Sequence, residues 1–533
     1  MRRLSLVFAF VLSACSGQDH AALSGSGPFA IDDALAYFDA GTSGIVIVDP
    51  AGHAGPASNQ MLFRVPAGLT PVTLVSAPRS DDPTRHQLLV ADPGRSQVLV
   101  YPDKHSHPTS LSIGLPLDAI DVAGNGQWAI AYEPLGTTPT RSLFTFPNTV
   151  AVLNLATTPQ TATSLPLGGA GVRPIRAVFA DSMRLSALFD SVSVTRDMPF
   201  ALVFAKGGLV PVDLSNAVAG QLLPLTTDTT TDVVPAKVLF TNNGGDNIRG
   251  TLDNIERAFV RSTAGQLYVI AISLVATAPN SVAVAASLEN VVTPTVAVQD
   301  MALFFAPDGT ELLLAAAGNE LILVNGYTGV ATSFTTTTAI DTLVPYAEPT
   351  TGAAKALAYD HLLPAGAFLR LDPVGLETLS AQSIQTVRLA TSVATINFSP
   401  GSSHAVLNYN DGNDLGVLDL SPGGKVLDLT FANTISARNL TPAGDQLWVV
   451  SISPEDNQPY LAAVALGADL AVTQVRLDRS GSTIGNAGAY AWVDHGDASG
   501  AITFFPTTVP LNRSAAIDFS GVLYTNLLDQ PNN

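Results

Sequence analysis

The chain has 533 residues, enough to bury one large core or several, which excludes a peptide-sized or disulfide-stapled scaffold. Its 25 Lys and Arg stand against 44 Asp and Glu, a formal net charge of -19, so phosphate backbone and anionic lipid are poor electrostatic partners and no nucleic-acid ligand is expected. Only 13% of residues are charged and 47% are hydrophobic; despite 43 Gly and 36 Pro, this is no disordered polymer, and it must fold around much apolar surface.

The chain opens on Met1-Arg2-Arg3, an apolar stretch from Leu4 to Val11, and Leu12-Ser13-Ala14-Cys15, which reads as a basic n-region, a short h-region and small residues before a cut. The apolar stretch is too short for a spanning helix, which needs about 20 residues. Cys15 is the sole cysteine, so no intramolecular disulfide can form and no thiolate cluster can hold zinc. The residues Leu12 to Cys15 resemble the lipobox of bacterial lipoprotein signal peptides. The resemblance implies cleavage before Cys15, a diacylglyceryl group on its sulfur and a further acyl chain such as palmitate on the new amino terminus. Two or three acyl chains make a lasting membrane anchor where one does not. Ser16 follows the cysteine in place of the Asp that favours inner-membrane retention, which implies an outer-membrane lipoprotein of the cell envelope, on its periplasmic face or at the cell surface. Residues 1–14 are thus expected to be a signal peptide. Residues 15–28 form a lipidated cysteine and a Gly-, Ser- and Ala-rich tether, and 29–533 are left for the folded domain.

No later segment approaches a membrane span; Leu267 to Ala278 is short and interrupted by Ser273 and Thr277. Short Val, Leu, Ala and Ile runs instead recur in pairs separated by turn residues, which predicts hairpins. In chain order the pairs are 88–91 with 98–101, 128–131 with 150–153, 312–314 with 321–324, 405–407 with 415–418, 447–450 with 461–464, and 490–493 with 501–504. Each run is apolar at successive positions, as in strands buried on both faces. Pro then Gly follows Phe305, Phe398 and Leu440, the chemistry of a tight turn before the next strand. Phe398 and Leu440 lie 42 residues apart and Phe305 and Phe398 lie 93 apart, leaving room for one intervening unit that holds 356–359 and 368–371. Between 155 and 255 no strands are assigned.

A repeat of about 40 to 50 residues with four short strands marks propeller blades. The chain resembles bacterial β-propellers of the WD40-like and YVTN-like kind, although the YVTN tetrapeptide and a regular Gly-His/Trp-Asp pair are absent. The resemblance implies an all-β fold in which 29–533 form a single β-propeller of about seven or eight four-stranded blades, while nine or ten hairpins can be counted. An array of β-sandwiches would show composition breaks every 100 residues or so, and an outer-membrane barrel would alternate apolar and polar residues under aromatic girdles; the chain does neither.

Hydrolase, nucleotide and zincin motifs are absent: no G-x-S-x-G, G-x-x-x-x-G-K-[ST], H-E-x-x-H, or G-x-G-x-x-G after a strand. Two weak metal candidates remain. His105 and His107 could offer two imidazoles from one loop, against the simpler reading of a solvated loop. Asn408, Asn410, Asp411 and Asp414 gather oxygen ligands suited to calcium, yet these are also ordinary hairpin-turn residues. Asp494 to Asp497 and Asn242 to Asp246 invite the same two readings. His53, His86, His361, His404 and His495 are scattered. Arg173, Arg176 and Arg184, near Asp181, read as a surface ion-pair cluster before an anion site, and Trp128, Trp448 and Trp492 as core packing before a carbohydrate platform. No catalytic residue and no cofactor other than that calcium is indicated. The expectation is an envelope-anchored lipoprotein, held to the membrane through Cys15, whose propeller is a binding or scaffold module for an envelope protein, a glycan or a small ligand. The rival expectation is a periplasmic propeller enzyme, lactonase-like or quinoprotein-like, with a metal or cofactor at a central channel.

Overall fold

A computed structural model describes residues 26–520 apart from 40–42, 55–61, 70, 135–146, 170–171, 190–191, 226–232, 242–255, 279–280, 293–295, 307–309, 327–328, 362–365, 379–382, 390, 399–402, 411, 432–433, 442–443, 454, 468–469 and 497–499. Cys15 and the prolines of the three Pro-Gly turns lie outside the described residues. No helix among the described residues is long and apolar enough to cross a membrane.

The described residues form ten antiparallel sheets, consecutive in sequence, which are ten propeller blades. In chain order, blades 1 to 10 occupy residues 26–66, 73–112, 119–166, 174–224, 235–292, 300–340, 342–388, 393–430, 435–476 and 483–519. Eight have four strands, blade 4 has five and blade 6 has three. The expected seven or eight blades are therefore corrected to ten. The stretch from 155 to 255, left without strands in the sequence, holds the fourth strand of blade 3, all of blade 4 and the start of blade 5, and the unit placed between Phe305 and Phe398 is blade 7. Five of the six predicted hairpins appear in register, with Ala91 opposite Val98, Ala129 opposite Leu153, Val406 opposite Val417, Val449 opposite Ala462 and Trp492 opposite Phe504; the sixth, 312–314 with 321–324, is corrected, because both runs belong to one strand and pair with different neighbours. Blade 6 differs in form: Glu311–Asn325 is one continuous run whose first half pairs Asp300–Phe305 and whose second half pairs Ala331–Ile340. Gly318, at φ +64°, stands where the partner changes; most other residues resist that backbone.

The apolar runs follow from blade stacking. Successive side chains of a strand point to opposite faces, and a blade between two others buries both. In blade 7, Ala356 and Ala358 join the core shared with blade 6, while Leu357 and Tyr359 join the core shared with blade 8. In blade 4, Ala201, Val203 and Ala205 pack towards blade 3, and Phe200, Leu202 and Phe204 towards blade 5. Small residues on one face and large on the other let neighbouring sheets interdigitate.

The chain divides into two compact units. One runs from 111 to 430 and contains blades 3 to 8 in unbroken sequence. The other combines residues up to Ser110 with those from Phe431 onward, so blades 1 and 2 share it with blades 9 and 10. Within it, Leu35, Tyr37, Val46 and Val48 of blade 1 form one core with Ala487, Ile502 and Phe504 of blade 10: the first blade packs on the last.

Polar side chains on first strands stitch neighbours together. Asp121 Oδ2 accepts the Ala177 amide at 2.7 Å. Asp300 accepts the Leu343 amide at 2.9 Å and the Lys237 ammonium at 2.8 Å, joining blades 5, 6 and 7. Blades 4 and 5 also carry long hairpins. Pro174–Phe189 pairs with Val192–Ala205 along its length, but the third strand of blade 4 covers only Phe200 to Ala205. Leu267–Ala278 and Ser281–Val292 likewise outrun their neighbour, which ends opposite Ile272. The projecting parts share a core through Leu185, Met198, Leu274 and Val284.

Candidate ligand-binding cleft

The turn between Ser26–Ile31 and Ala34–Asp39 consists of two residues, Asp32 and Asp33, with Ile31 opposite Ala34. Asp32 sits at φ +50°, a left-handed conformation that Asp tolerates better than bulkier residues. Its amide donates to the His86 carbonyl of blade 2 at 2.9 Å. Its side chain is 2% exposed and fully engaged: Oδ1 accepts Arg85 Nε at 2.8 Å and Nη2 at 2.7 Å, and Oδ2 accepts the Lys104 amide at 3.1 Å. A buried carboxylate held by a guanidinium fork fixes the blade 1 turn against blade 2.

Behind it lies a charged triad. Lys104 Nζ donates to Asp33 Oδ1 and Asp49 Oδ1, each at 2.7 Å. Burial works against the ammonium, but the hydrogen bonds to the two carboxylates outweigh it and its pKa lies above the ordinary lysine value. Asp49 is buried, whereas 37% of the Asp33 side chain remains exposed.

Asp32 and Asp33, with Thr84, Arg85 and His86 of blade 2 and Asn486 of blade 10, line a cleft of about 600 Å³. Gly488 completes its wall at φ +53°; a Cβ there would come within 2.4 Å of Asp33 Cβ, so a side chain would displace the carboxylate. Burial lowers the pKa of His86, which favours the neutral ring. Among the described residues, no hydrogen bond reaches the His86 ring, Asp33 Oδ2 or Asn486 Oδ1; the Asn486 amide nitrogen is taken by the Leu440 carbonyl at 2.8 Å. A second polar cavity, of about 280 Å³, lies between blades 7 and 8. There Arg370 gives its guanidinium to the carbonyls of Asp419, Ser421 and Gly424, which makes it a lock on a turn.

The residues singled out in the sequence fall elsewhere. His105 and His107 are exposed on a loop that Asp103 organises, accepting the amides of His105 at 2.8 Å and Ser106 at 2.6 Å; His105 Nε2 stands 3.8 Å from Asp49. Asn408 is buried in a strand of blade 8 with Nδ2 on Thr395 Oγ1 at 2.6 Å. Asn410 Nδ2 bonds Ser392 Oγ at 2.6 Å. Asp414 begins the strand Asp414–Asp419, and Asp411, Asn242 to Asp246 and Asp497 lie outside the described residues. Among the described residues, no group of three or more His, Cys, Asp or Glu is placed to hold a metal ion. His361 pairs with Asp341, His404 with Ser403 and His495 with Thr503, each a partner near in sequence. Arg173 reaches Glu133 at 3.4 Å; the side chains of Arg184 and Asp181 are outside the described ones. Trp128 and Trp448 are core residues, the latter edge-on to Phe505, and Trp492 packs against the core between blades 10 and 1.

The cleft leaves no local pattern in the sequence because its residues come from three places in the chain, around 32, 85 and 486. The signal that could have pointed to it is the Asp-Asp turn, where a two-residue hairpin ordinarily takes Asn-Gly or Asp-Gly.

No protein-family model matches the chain, and no curated protein matches it. Among solved structures, it is similar to the eukaryotic initiation factor, with TM-score 0.42 and 11% identity over 84% of this chain and 95% of that one. It is similar to the dihydro-heme d1 dehydrogenase NirN in complex with DHE, with TM-score 0.37 and 12% identity over 78% of each chain. It is also similar to the C-terminal WD40 domain of Sif2, with TM-score 0.35 and 11% identity over 75% of this chain and 99% of that one.

Proposed function

We propose that this chain is a cell-envelope lipoprotein, anchored through Cys15, whose propeller is a binding module with its ligand site in the cleft of blades 1, 2 and 10. The observation that carries the binding reading is the cleft's chemistry. Blade contacts saturate Asp32, while the Asp33, His86 and Asn486 groups that face the cavity keep open hydrogen-bonding positions. A concave site with a few convergent polar groups on rigid elements is the usual form of a small-molecule site. The anchoring reading is supported by the n-region, h-region and lipobox-like residues 12 to 15.

Two measurements test it. In Triton X-114 extracts the mature protein partitions into detergent and carries an acyl mass on Cys15, and Cys15→Ser moves it to the aqueous phase; an unmodified cysteine refutes the anchor. In a ligand-observed NMR fragment screen on the Cys15→Ser chain, hits disappear in Thr84→Trp, which fills the cleft from an exposed rim position. A screen with no hit sensitive to Thr84→Trp refutes the cleft as the binding site.

A further inference from the structure

The charges around the cleft do not cancel, and the imbalance says what the cleft takes. Asp32 is matched by Arg85. Arg79 grips Asp81 through Nε and Nη2 at 2.9 and 2.7 Å and also stands 3.6 Å from Asp32 Oδ1, so these two cations and two carboxylates balance. Asp33 and Asp49 share the single charge of Lys104. One negative charge is therefore left over, and Asp49 is buried whereas Asp33 opens onto the cavity. His105, 3.8 Å from Asp49, adds positive charge only when protonated. Tyr490 senses the same field: burial first, then the charges of Asp33 and Asp49, push its phenol above the ordinary value. A carboxylate with an open oxygen in a partly desolvated site favours a cation that can donate hydrogen bonds to it. A metal ion would need further donors, and the described residues supply no group of three. An organic ammonium needs one carboxylate and neighbouring acceptors, and Asn486 Oδ1 and the neutral His86 ring are such acceptors. The chain's net charge of -19 also raises the local concentration of cations.

Resting on the reading of the cleft as the ligand site, we propose that it binds a small molecule through a protonated primary amine seated on Asp33, with Asn486 and His86 taking adjacent hydroxyl or amide groups. The test uses the Cys15→Ser chain and matched probes in saturation-transfer NMR and calorimetric titration: glucosamine against N-acetylglucosamine, and 1,5-diaminopentane against 1,5-pentanediol. Each amine binds about tenfold more tightly than its neutral counterpart, the size of one charge-assisted hydrogen bond. Asp33→Asn abolishes that preference and Asp33→Glu retains it, while both variants stay folded because Lys104 keeps Asp49 as a partner. Equal binding of amines and neutral probes, amine binding that survives Asp33→Asn, or no amine binding overturns the amine assignment. The cleft reading is judged separately, by whether any fragment hit is lost in Thr84→Trp.

Discussion

Lys104 divides one positive charge between two carboxylates, and Asp49, 1% exposed, has no water to fall back on. Lys104→Met keeps the apolar stem but strands that carboxylate, and breaking a buried ion pair from one side costs about 3 kcal/mol or more. A urea titration at pH 7 is expected to show a loss of that size. The pH dependence has a definite sign. Because the folded-state pKa of Lys104 is raised above its ordinary 10.5, its stabilisation is complete below that value and fades as pH rises through the higher folded value. The gap between wild type and variant therefore narrows above about pH 10.5, and a gap that stays constant to pH 11 contradicts the assignment. Little of this was legible in the sequence. Asp32 and Asp33 look like turn residues, His86 looks like one of several scattered histidines, and Lys104 sits beside the two histidines that drew attention as metal candidates. A site assembled from residues more than 450 positions apart leaves no local pattern.

Strands, by contrast, announce themselves where both faces are buried. The run 354–359 is apolar at its last four positions because blade 6 takes Ala356 and Ala358 and blade 8 takes Leu357 and Tyr359. The same rule hides the hairpin of blade 4: in Val192–Ala205 the part before Phe200 has no third strand beside it, so Thr195, Arg196 and Asp197 interrupt the apolar pattern and the strand is not recognised. Blade number suffered for that reason. The energetic weight of two-faced burial can be measured at Phe504, which is 0% exposed and meets Tyr490 and Phe519 edge-on at 6.3 and 5.5 Å. Phe504→Ala should cost about 3–5 kcal/mol, read as a lowered denaturation midpoint. Val509→Ala, at a position 46% exposed, should stay within about 0.5 kcal/mol. Similar losses for the two would mean that blade 10 is not packed as described.

Blades 1, 2, 9 and 10 form one unit from the two ends of the described chain, so this unit depends on its last blade in a way that blades 3 to 8, contiguous in sequence, do not. A chain ended at residue 482 keeps blades 1 to 9 but bares Leu35, Tyr37, Val46 and Val48. That truncation is expected to bind 1-anilinonaphthalene-8-sulfonate strongly and to self-associate on size-exclusion chromatography; a monodisperse chain without dye binding would show that blade 10 does not cover blade 1. The pairing of first blade with last also imposes a wait during synthesis. Blade 1 is complete at residue 66 and its partner begins at residue 483, so at about 5–20 residues per second one face of blade 1 stays uncovered for roughly 20–80 s. For that interval a nascent chain carries a bare apolar face made of Leu35, Tyr37, Val46 and Val48. Folding helpers that hold the N-terminal blades until the C terminus is released would then govern how much of the protein is made correctly.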